Sequence, residues 1–373
     1  MDDKKVLQLR SSLGYFGAEN MIVELSKSLA TMKYNPIIGV LNNTYCPHIE
    51  MADVAEKHGL NTKIFDCNSP FSLKTILEIR KYIKNNKINV IHSHGYKTNF
   101  FALLANLFEG KHLVCTCHPW TETGYSLKAK IYSWLDKLIL NKFHKIVAVS
   151  SNVEEEIAKI GIAQEKVSLI ENGIDIHRFS NSFDRTQLCQ KYQIRSNRTI
   201  IGTIGRLVPE KAHDILFEAA KLIIENFPDV HFVIVGDGPL RENLENKVNA
   251  LKLSEHVLFT GVSNNIPEVL SLMDIFVLSS ISEGLPMVLL EAMAAKKPIV
   301  TTKVGEISNI ISDKEDGVIV PPNDKVGLKK GIEYLLSNKE KAALFTEKAY
   351  SKVVEYFSAN VMAKKYIRVY EQL

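Results

Sequence analysis

The chain has 373 residues, of which 46% are hydrophobic and 24% charged, and carries a net charge of +4. That length exceeds one ordinary core and suits two domains, and the balance of apolar and charged residues excludes a disordered chain. The small positive charge is compatible with an anionic ligand or a membrane surface but too weak to argue for nucleic acid.

Short β-branched runs alternate with helical spacing almost from end to end. Residues 6–9, 36–40, 90–92, 113–116 and 146–149 read as strands. Between them Met21-Ile22-Leu25-Leu29 and Leu73-Ile76-Leu77-Ile79-Ile83 show the three- and four-residue apolar spacing of helices. Continuous apolar strands separated by helices imply a parallel sheet covered on both faces, the doubly wound α/β class. The rhythm breaks after 167–170, where Asn172-Gly173-Ile174-Asp175 leads into a polar region, 177–198, expected to be the interdomain connection. It restarts with strands at 199–204, 230–235, 257–260, 275–278 and 299–301 and a helix near 214–226, and 359–372 reads as one amphipathic helix. Two Rossmann-like domains with a cleft between them are the economical reading, divided at 1–180 and 181–355.

Five cysteines, Cys46, Cys67, Cys115, Cys117 and Cys189, form no regular framework. Cys115 and Cys117 alternate on an apolar run and share one face of a strand. No second Cys or His pair completes a zinc set, so buried free thiols and a reducing cytoplasm are expected. The N-terminal Met-Asp-Asp-Lys-Lys leads into a short apolar run without a signal-peptide core. No stretch reaches the roughly 18 consecutive apolar residues that span a bilayer. By the same compartment argument the Asn-x-Thr triplets at Asn42 and Asn197 are chance matches.

The most informative segment is Ser282-Glu283-Gly284-Leu285-Pro286-Met287-Val288-Leu289-Leu290-Glu291-Ala292-Met293-Ala294. A strand ends near Ser279, a glycine-containing turn follows, and Pro286 suits the first turn of a helix. That helix opens at the carboxyl end of its strand, where open α/β sheets bind ligands, and its N–H groups and dipole suit phosphate. Glu283 sits at the mouth and Glu291 about five residues inside the helix, roughly 7 Å along its axis. Carboxylates so spaced can accept hydrogen bonds from a ribose on one side of a diphosphate and a sugar on the other. A second segment, Ile204-Gly205-Arg206-Leu207-Val208-Pro209-Glu210-Lys211, also follows a strand and precedes a helix. Arg206 and Lys211 put two cations where a diphosphate would depart. One well-placed donor of this kind is worth about 3 to 4 kcal/mol, by analogy with an oxyanion hole. Taken singly, Glu283 and Glu291 read better as solvated side chains, and Arg206 and Lys211 have the lesser alternative of two surface cations in a turn; the shared context gives them weight.

The run from Glu283 to Glu291 resembles the Glu-x7-Glu signature of the retaining family 4 glycosyltransferases of GT-B fold, and the resemblance covers nearly the whole chain. The 204–211 segment is similar to the family's Gly-Arg-Leu-x-x-x-Lys loop, whose Arg and Lys bind donor phosphates. Val235-Gly236-Asp237-Gly238-Pro239 and Phe259-Thr260-Gly261, with Val262 following, match its turns around the nucleoside. Glu171-Asn172-Gly173-Ile174-Asp175 matches its Asn-Gly-x-Asp segment, which puts Asn172 on the acceptor or donor-sugar side. The resemblance implies that Glu291 holds the ribose hydroxyls and Glu283 contacts the transferred sugar. It gives the backbone of Gly284, Leu285, Pro286, Met287 and Val288 the sugar hydroxyls and phosphates. It also implies that the final helix, about 356–373, returns to the N-terminal domain. Gly14-Tyr15-Phe16-Gly17-Ala18-Glu19 resembles the family's Gly-Gly-x-Glu loop beside the diphosphate, with Phe16 in place of its first glycine, so close backbone approach is expected only at Gly17. Without the three-glycine spacing, this loop is a weak dinucleotide site. His118, ending a strand in Thr116-Cys117-His118, matches an active-site histidine. In His92-x-His94-Gly95, His94 is expected to face the cleft and His92 to be structural. Gly305-Glu306 stands where a Gly-Gly pair is common.

The function implied is retaining, front-face transfer of a hexosyl unit from a nucleotide diphosphate sugar, the departing phosphate helping to deprotonate the acceptor hydroxyl. A uridine diphosphate sugar is the favoured donor and a glycan or lipid-linked molecule the acceptor, in cell-surface polysaccharide or glycolipid synthesis. No Asp-x-Asp triplet occurs, and Arg206, Lys211 and a helix N-terminus can replace a metal's charge, so no metal or other cofactor is expected. Lys128, Lys130, Lys137, Lys142 and Lys145, interleaved with Ile131, Trp134, Leu135, Leu138 and Ile139, read either as a basic amphipathic helix at the inner face of the membrane or as an internal helix with a solvated lysine face. Two other functions remain open: a nucleotide-sugar epimerase on a similar scaffold, and a non-catalytic nucleotide-sugar-binding partner subunit.

Overall fold

The computed structural model describes residues 4–11, 14–69, 71–118 and 136–373. The chain divides into two compact units, 1–173 with 359–373, and 174–358. In the first, β1 (Lys4–Arg10), β2 (Tyr34–Asn42), β3 (Asn61–Asp66), β4 (Val90–His94), β5 (His112–Cys117), β6 (Lys145–Ala148) and β7 (Val167–Leu169) form a sheet ordered β3-β2-β1-β4-β5-β6-β7. In the second, β8 (Thr199–Ile204), β9 (Val230–Val235), β10 (Val257–Gly261), β11 (Ile275–Leu278), β12 (Ile299–Thr302) and β13 (Val318–Val320) are ordered β10-β9-β8-β11-β12-β13. Every strand pairing in both sheets is parallel. Each sheet therefore reverses its direction of winding once, between β1 and β4 and between β8 and β11, the positions where open α/β sheets collect ligands.

Alternation along each strand supplies two cores per sheet. In the first unit Leu7, Leu9, Ile91 and Leu113 face one way, onto Ile79 and Ile83 of helix Leu73–Asn85 and Phe101 of helix Tyr96–Asn106. Val6, Val90, Val114 and Val147 face the other way, onto Met21 to Leu29 of helix Gly17–Thr31. Met362, Tyr366 and Tyr370 of helix Ala359–Glu371 cover that same face, so the last helix belongs to the first unit. The second unit repeats the scheme, with Ile201, Phe232 and Val277 against Phe217 and Ile332, and Ile200, Val233 and Phe276 against Leu289 and Met293.

The last helix is seated by hydrogen bonds as well as by apolar burial. Gln8, His92 and Thr116 stand on three adjacent strands on the face it covers, and all three are fully buried. His92 Nδ1 is 2.7 Å from Tyr370 Oη and its Nε2 2.8 Å from Thr116 Oγ1. Thr116 Oγ1 is also bonded to Tyr366 Oη at 3.0 Å, and Gln8 Nε2 donates to Tyr370 Oη at 3.4 Å. Gln8, His92 and Thr116 thus each meet a partner on the buried face, as burial requires.

The structure corrects three readings. The polar stretch 177–198 is an integral part of the second unit, because helix Arg185–Lys191 buries Leu188 and Cys189 in its core. Two apolar side chains in a short polar helix make too sparse a stripe to be seen in sequence. Strands β3 and β13 went unread: β3 is an edge strand with only Phe65 buried, and β13 is three residues long. Of the five free cysteines, Cys46 is exposed and the other four are buried. Residues Lys128, Lys130, Ile131, Trp134 and Leu135 lie outside the described residues.

Replacing Tyr370 by Phe leaves His92 Nδ1 and Gln8 Nε2 without this partner inside the core. Urea unfolding of the variant is expected to show a loss of about 1–3 kcal/mol, the cost of stranding a buried polar group. A loss of only a few tenths would mean that water reaches the network.

Candidate active site

In the second unit the loop after β8 is held from both sides. Gly205 N–H donates to Val235 O (2.9 Å) and Leu207 N–H to Asp237 O (2.9 Å), which ties it to the turn after β9. Ser279 Oγ donates to Lys211 O (2.9 Å) and Ile281 N–H to Glu210 O (2.8 Å), which ties it to the turn after β11. Two glycines permit the approach of these backbones. A Cβ on Gly236, at φ +133°, would stand 1.9 Å from Gly205 O, and one on Gly305, at φ +50°, 1.9 Å from Glu283 O. Any other residue at either position would push aside a loop that carries charge. Gly236 N–H also donates to Gly261 O (2.8 Å), bringing in the turn after β10, where Gly261 has φ +74° and Val262 is exposed.

These contacts set one ion pair. Lys211 Nζ lies 2.6 Å from Glu283 Oε1, and Ser280 Oγ donates to the same oxygen at 2.5 Å. The two side chains are only 19% and 11% exposed. Burial of this degree leaves such a pair with little net stabilisation, since desolvation offsets the attraction. Its effect is to fix a cation and a carboxylate at the reversal of the sheet. Among the described residues both bonds fall on Oε1, which leaves Oε2 for a further donor. Arg206 extends from the same loop and is exposed.

Helix Met287–Ala294 follows directly, with Pro286 as its N-cap and Gly284 and Leu285 half-buried in the turn before it. Met287 and Val288 form its first turn, which faces solvent in part, while Leu289 and Leu290 are buried. Glu291 lies one turn further on. Burial pushes its carboxyl up to about 7, although the Arg178 guanidinium pulls in the opposite direction. His213, buried at the start of helix His213–Ile223, is pushed down to about 4 by burial and by the charge of Lys211.

The first unit places its candidates at its own reversal. Arg10 ends β1, its Nε 2.8 Å from Glu19 Oε1, and its Nη1 donates to His94 O at 2.9 Å. Glu19 Oε2 accepts from Phe16 N–H at 3.1 Å, which closes the loop ahead of Gly17, the first residue of the helix. Burial alone would raise the Glu19 carboxyl, but Arg10 and these hydrogen bonds hold it below its usual value. His118 follows β5; burial, with Arg10 nearby, pushes its imidazole down to about 4, so it is neutral at physiological pH. Its Nε2 is shielded from solvent and has no partner among the described residues. His94 is buried, with Nε2 2.7 Å from Gln8 Oε1 and Nδ1 without a partner among the described residues. Asn172 is also buried, and its Oδ1 is likewise unpartnered. Sequence reasoning missed Arg10, Ser280 and Arg178. Arg10 carried a readable signal, a cation closing an otherwise apolar strand.

Two parallel α/β units, the second with Arg206, Lys211 and a helix N-terminus at its reversal, are compatible with binding a nucleotide's phosphates, and the comparisons narrow the reading. Residues 184–352 match the profile of the glycosyl transferases group 1, and residues 16–178 match that of Glycosyltransferase Family 4. The chain belongs to this family and has the GT-B fold. It is 29% identical, over 264 residues, to the UDP-Gal:alpha-D-GlcNAc-diphosphoundecaprenol alpha-1,3-galactosyltransferase of Escherichia coli, covering 68% of this chain and 67% of that one. Its structure resembles that of HepE from Anabaena in complex with UDP and glucose, with a TM-score of 0.85, 21% identity, and coverage of 99% of this chain and 100% of that chain. It also resembles a glycosyltransferase from Rickettsia africae, with a TM-score of 0.83, 24% identity, and coverage of 100% and 99%.

The raised pKa of Glu291 has a consequence for stability. The unfolded carboxyl ionises near 4.5 and the folded one at about 7, so the folded state holds the proton more tightly. Stability is greatest below the unfolded value and falls as pH rises through that window. Glu291→Gln should therefore gain thermal midpoint over the wild type at about pH 8 relative to about pH 5. An equal difference at both values would place Glu291 in water.

Proposed function

We propose that this glycosyltransferase moves a hexosyl unit from a nucleoside diphosphate sugar, with uridine diphosphate sugars in first place, to a hydroxyl of a glycan or lipid-linked acceptor. Transfer proceeds with retention and without a metal, in the synthesis of a cell-surface polysaccharide or glycolipid. The observation that carries this reading is the Lys211–Glu283 pair, set at the reversal of the sheet directly before a helix N-terminus. Lys211 and Arg206 neutralise the charge that grows on the departing diphosphate, where preorganised donors act most strongly. The N–H groups of Gly284, Leu285, Met287 and Val288 and the helix dipole supply the rest of the positive field; Pro286 has no N–H to give. Glu291 accepts from the ribose diol and Glu283 Oε2 from a sugar hydroxyl. In the first unit, neutral His118 offers a hydrogen bond suited to a sugar hydroxyl. The departing phosphate oxygen takes the proton of the acceptor hydroxyl as the new glycosidic bond forms. The relative from Escherichia coli, by its name, uses UDP-galactose and a diphosphoundecaprenol-linked sugar, which supports the choice of donor and of a lipid-linked acceptor.

Thermal unfolding in chelator, with the diphosphates of uridine, guanosine and adenosine and their sugar conjugates, tests the donor site. A ligand at a hundredfold excess over its dissociation constant should add about 2.7 kcal/mol. The shift should occur with one base and vanish in Lys211→Ala and Glu291→Ala. No shift with any nucleotide, even with divalent metal restored, would overturn the assignment. Turnover of donor without acceptor would favour an epimerase, and binding without turnover a non-catalytic subunit. With an acceptor in hand, the anomeric coupling of the first-formed product, read by NMR, decides retention.

A further inference from the structure

Helix Leu73–Asn85 is apolar on two faces. Ile76, Ile79 and Ile83 point into the core, as the fold requires, but Leu73 and Leu77 point outward, Leu73 with 66% of its surface exposed. Phe71, exposed just before the helix, packs edge-on against Phe100 of the neighbouring helix Tyr96–Asn106, ring centroids 5.2 Å apart. The outward side of that second helix runs on to Leu107 and to Phe108, which is 77% exposed. Arg80 joins the two helices: its guanidinium lies 4.9 Å from the centre of the Phe108 ring. Phe71, Leu73, Leu77, Leu107 and Phe108 are each more than half exposed on or beside these two helices, and clustered exposed apolar side chains of this kind mark interaction sites.

Among the described residues of helix Leu73–Asn85, the outward charges without an ion pair are all lysines. Lys74, Lys81 and Lys84 are exposed on the outward side of helix Leu73–Asn85. Among the described residues no carboxylate pairs with them; Glu78 is paired with Lys63 at 2.9 Å and Glu109 with Arg80 at 2.8 Å. A second copy of this chain is a poor occupant. A two-fold interface sets the same patch against itself, so these lysines would meet their own images. An anionic bilayer has the complementary chemistry, with acyl chains for the Leu and Phe side chains and headgroup charge for the lysines.

We infer that the outward face of helices Leu73–Asn85 and Tyr96–Asn106 docks the first unit on an anionic lipid surface. This deepens the reading of a lipid-linked acceptor and rests on it for its purpose, while the docking itself needs no donor. The contact lies on described residues distinct from 128–135. Leu138, exposed on the segment that Asp136 ties to Asn99 Nδ2 at 2.7 Å, is anchored to the second of these helices.

The test is co-sedimentation of the full chain with phosphatidylcholine vesicles, with and without phosphatidylglycerol. Binding is expected only with the anionic lipid. The double variant Leu107→Ser, Phe108→Ser should bind roughly tenfold or more weakly through lost apolar burial. Lys81→Ala and Lys84→Ala should each cost about fivefold. Unchanged thermal midpoints show that the variants are folded. Absence of binding to anionic vesicles, binding that the variants leave intact, or a dimer in sedimentation velocity that they dissolve would each overturn the inference. A chain that binds vesicles but is shifted by no nucleotide keeps this surface and loses the donor site; the opposite pattern does the reverse.

Discussion

Two loops must pass within backbone contact of their neighbours for the second unit to have a site at all. The turn after β8 is pressed between the turns after β9 and β11, and the turn after β11 is pressed in its own turn by Gly305. Lys211 and Glu283 come within 2.6 Å because of that stacking, not because either side chain seeks the other through solvent. An exposed pair at the same distance would be worth little and would wander. Here each partner is shielded and each backbone is anchored before the pair forms, so charge is placed ahead of any ligand, the condition under which electrostatics assists chemistry most.

The first unit solves a different problem with polar groups. Its reversal is closed by Arg10, which holds Glu19 and the carbonyl of His94 together and, through Glu19, the backbone of Phe16. Deeper in the sheet, His92 and Gln8 hold the last helix. His94 lies between the two groups and is tied to Gln8, its ring tilted against that of His92 with centres 4.1 Å apart. Three histidines, His92 and His94 on β4 and His118 just beyond β5, are kept neutral by burial, His92 down at about 3 and His118 at about 4. An uncharged imidazole can serve as hydrogen-bond acceptor or donor without bringing a buried charge, which suits His118 to a sugar hydroxyl.

Much of this was legible in the residues. Parallel strands buried on both faces show as continuous apolar runs, and nearly all the strands of both sheets were visible for that reason. The exceptions obey the same physics: β3 is an edge with polar residues on its open side, and β13 is too short to stand out. Glu283, Glu291, Arg206 and Lys211 were legible because strand, glycine turn and helix surround them in order. The Lys211–Glu283 bond was not, since 72 residues separate its ends. Nor was the need for Gly305, where the Cβ it lacks would strike another loop. The outward Leu73 and Leu77 were read as part of one helical stripe, because spacing alone does not say which apolar face a sheet will cover.

The first and last segments of the chain share one core. Val6, Val90 and Val114 are covered in part by Met362, Tyr366 and Tyr370, more than two hundred residues later than Val114, with the whole of unit 174–358 intervening. During synthesis the second unit has all of its own residues before the first has its final helix, so the later-numbered half can complete its core first. Until then the buried polar groups of Gln8, His92 and Thr116 remain without their tyrosines and the valines around them stay wet. The earlier half is thus a waiting sheet, open on one side, whose closure is timed by the arrival of its own most distant residues.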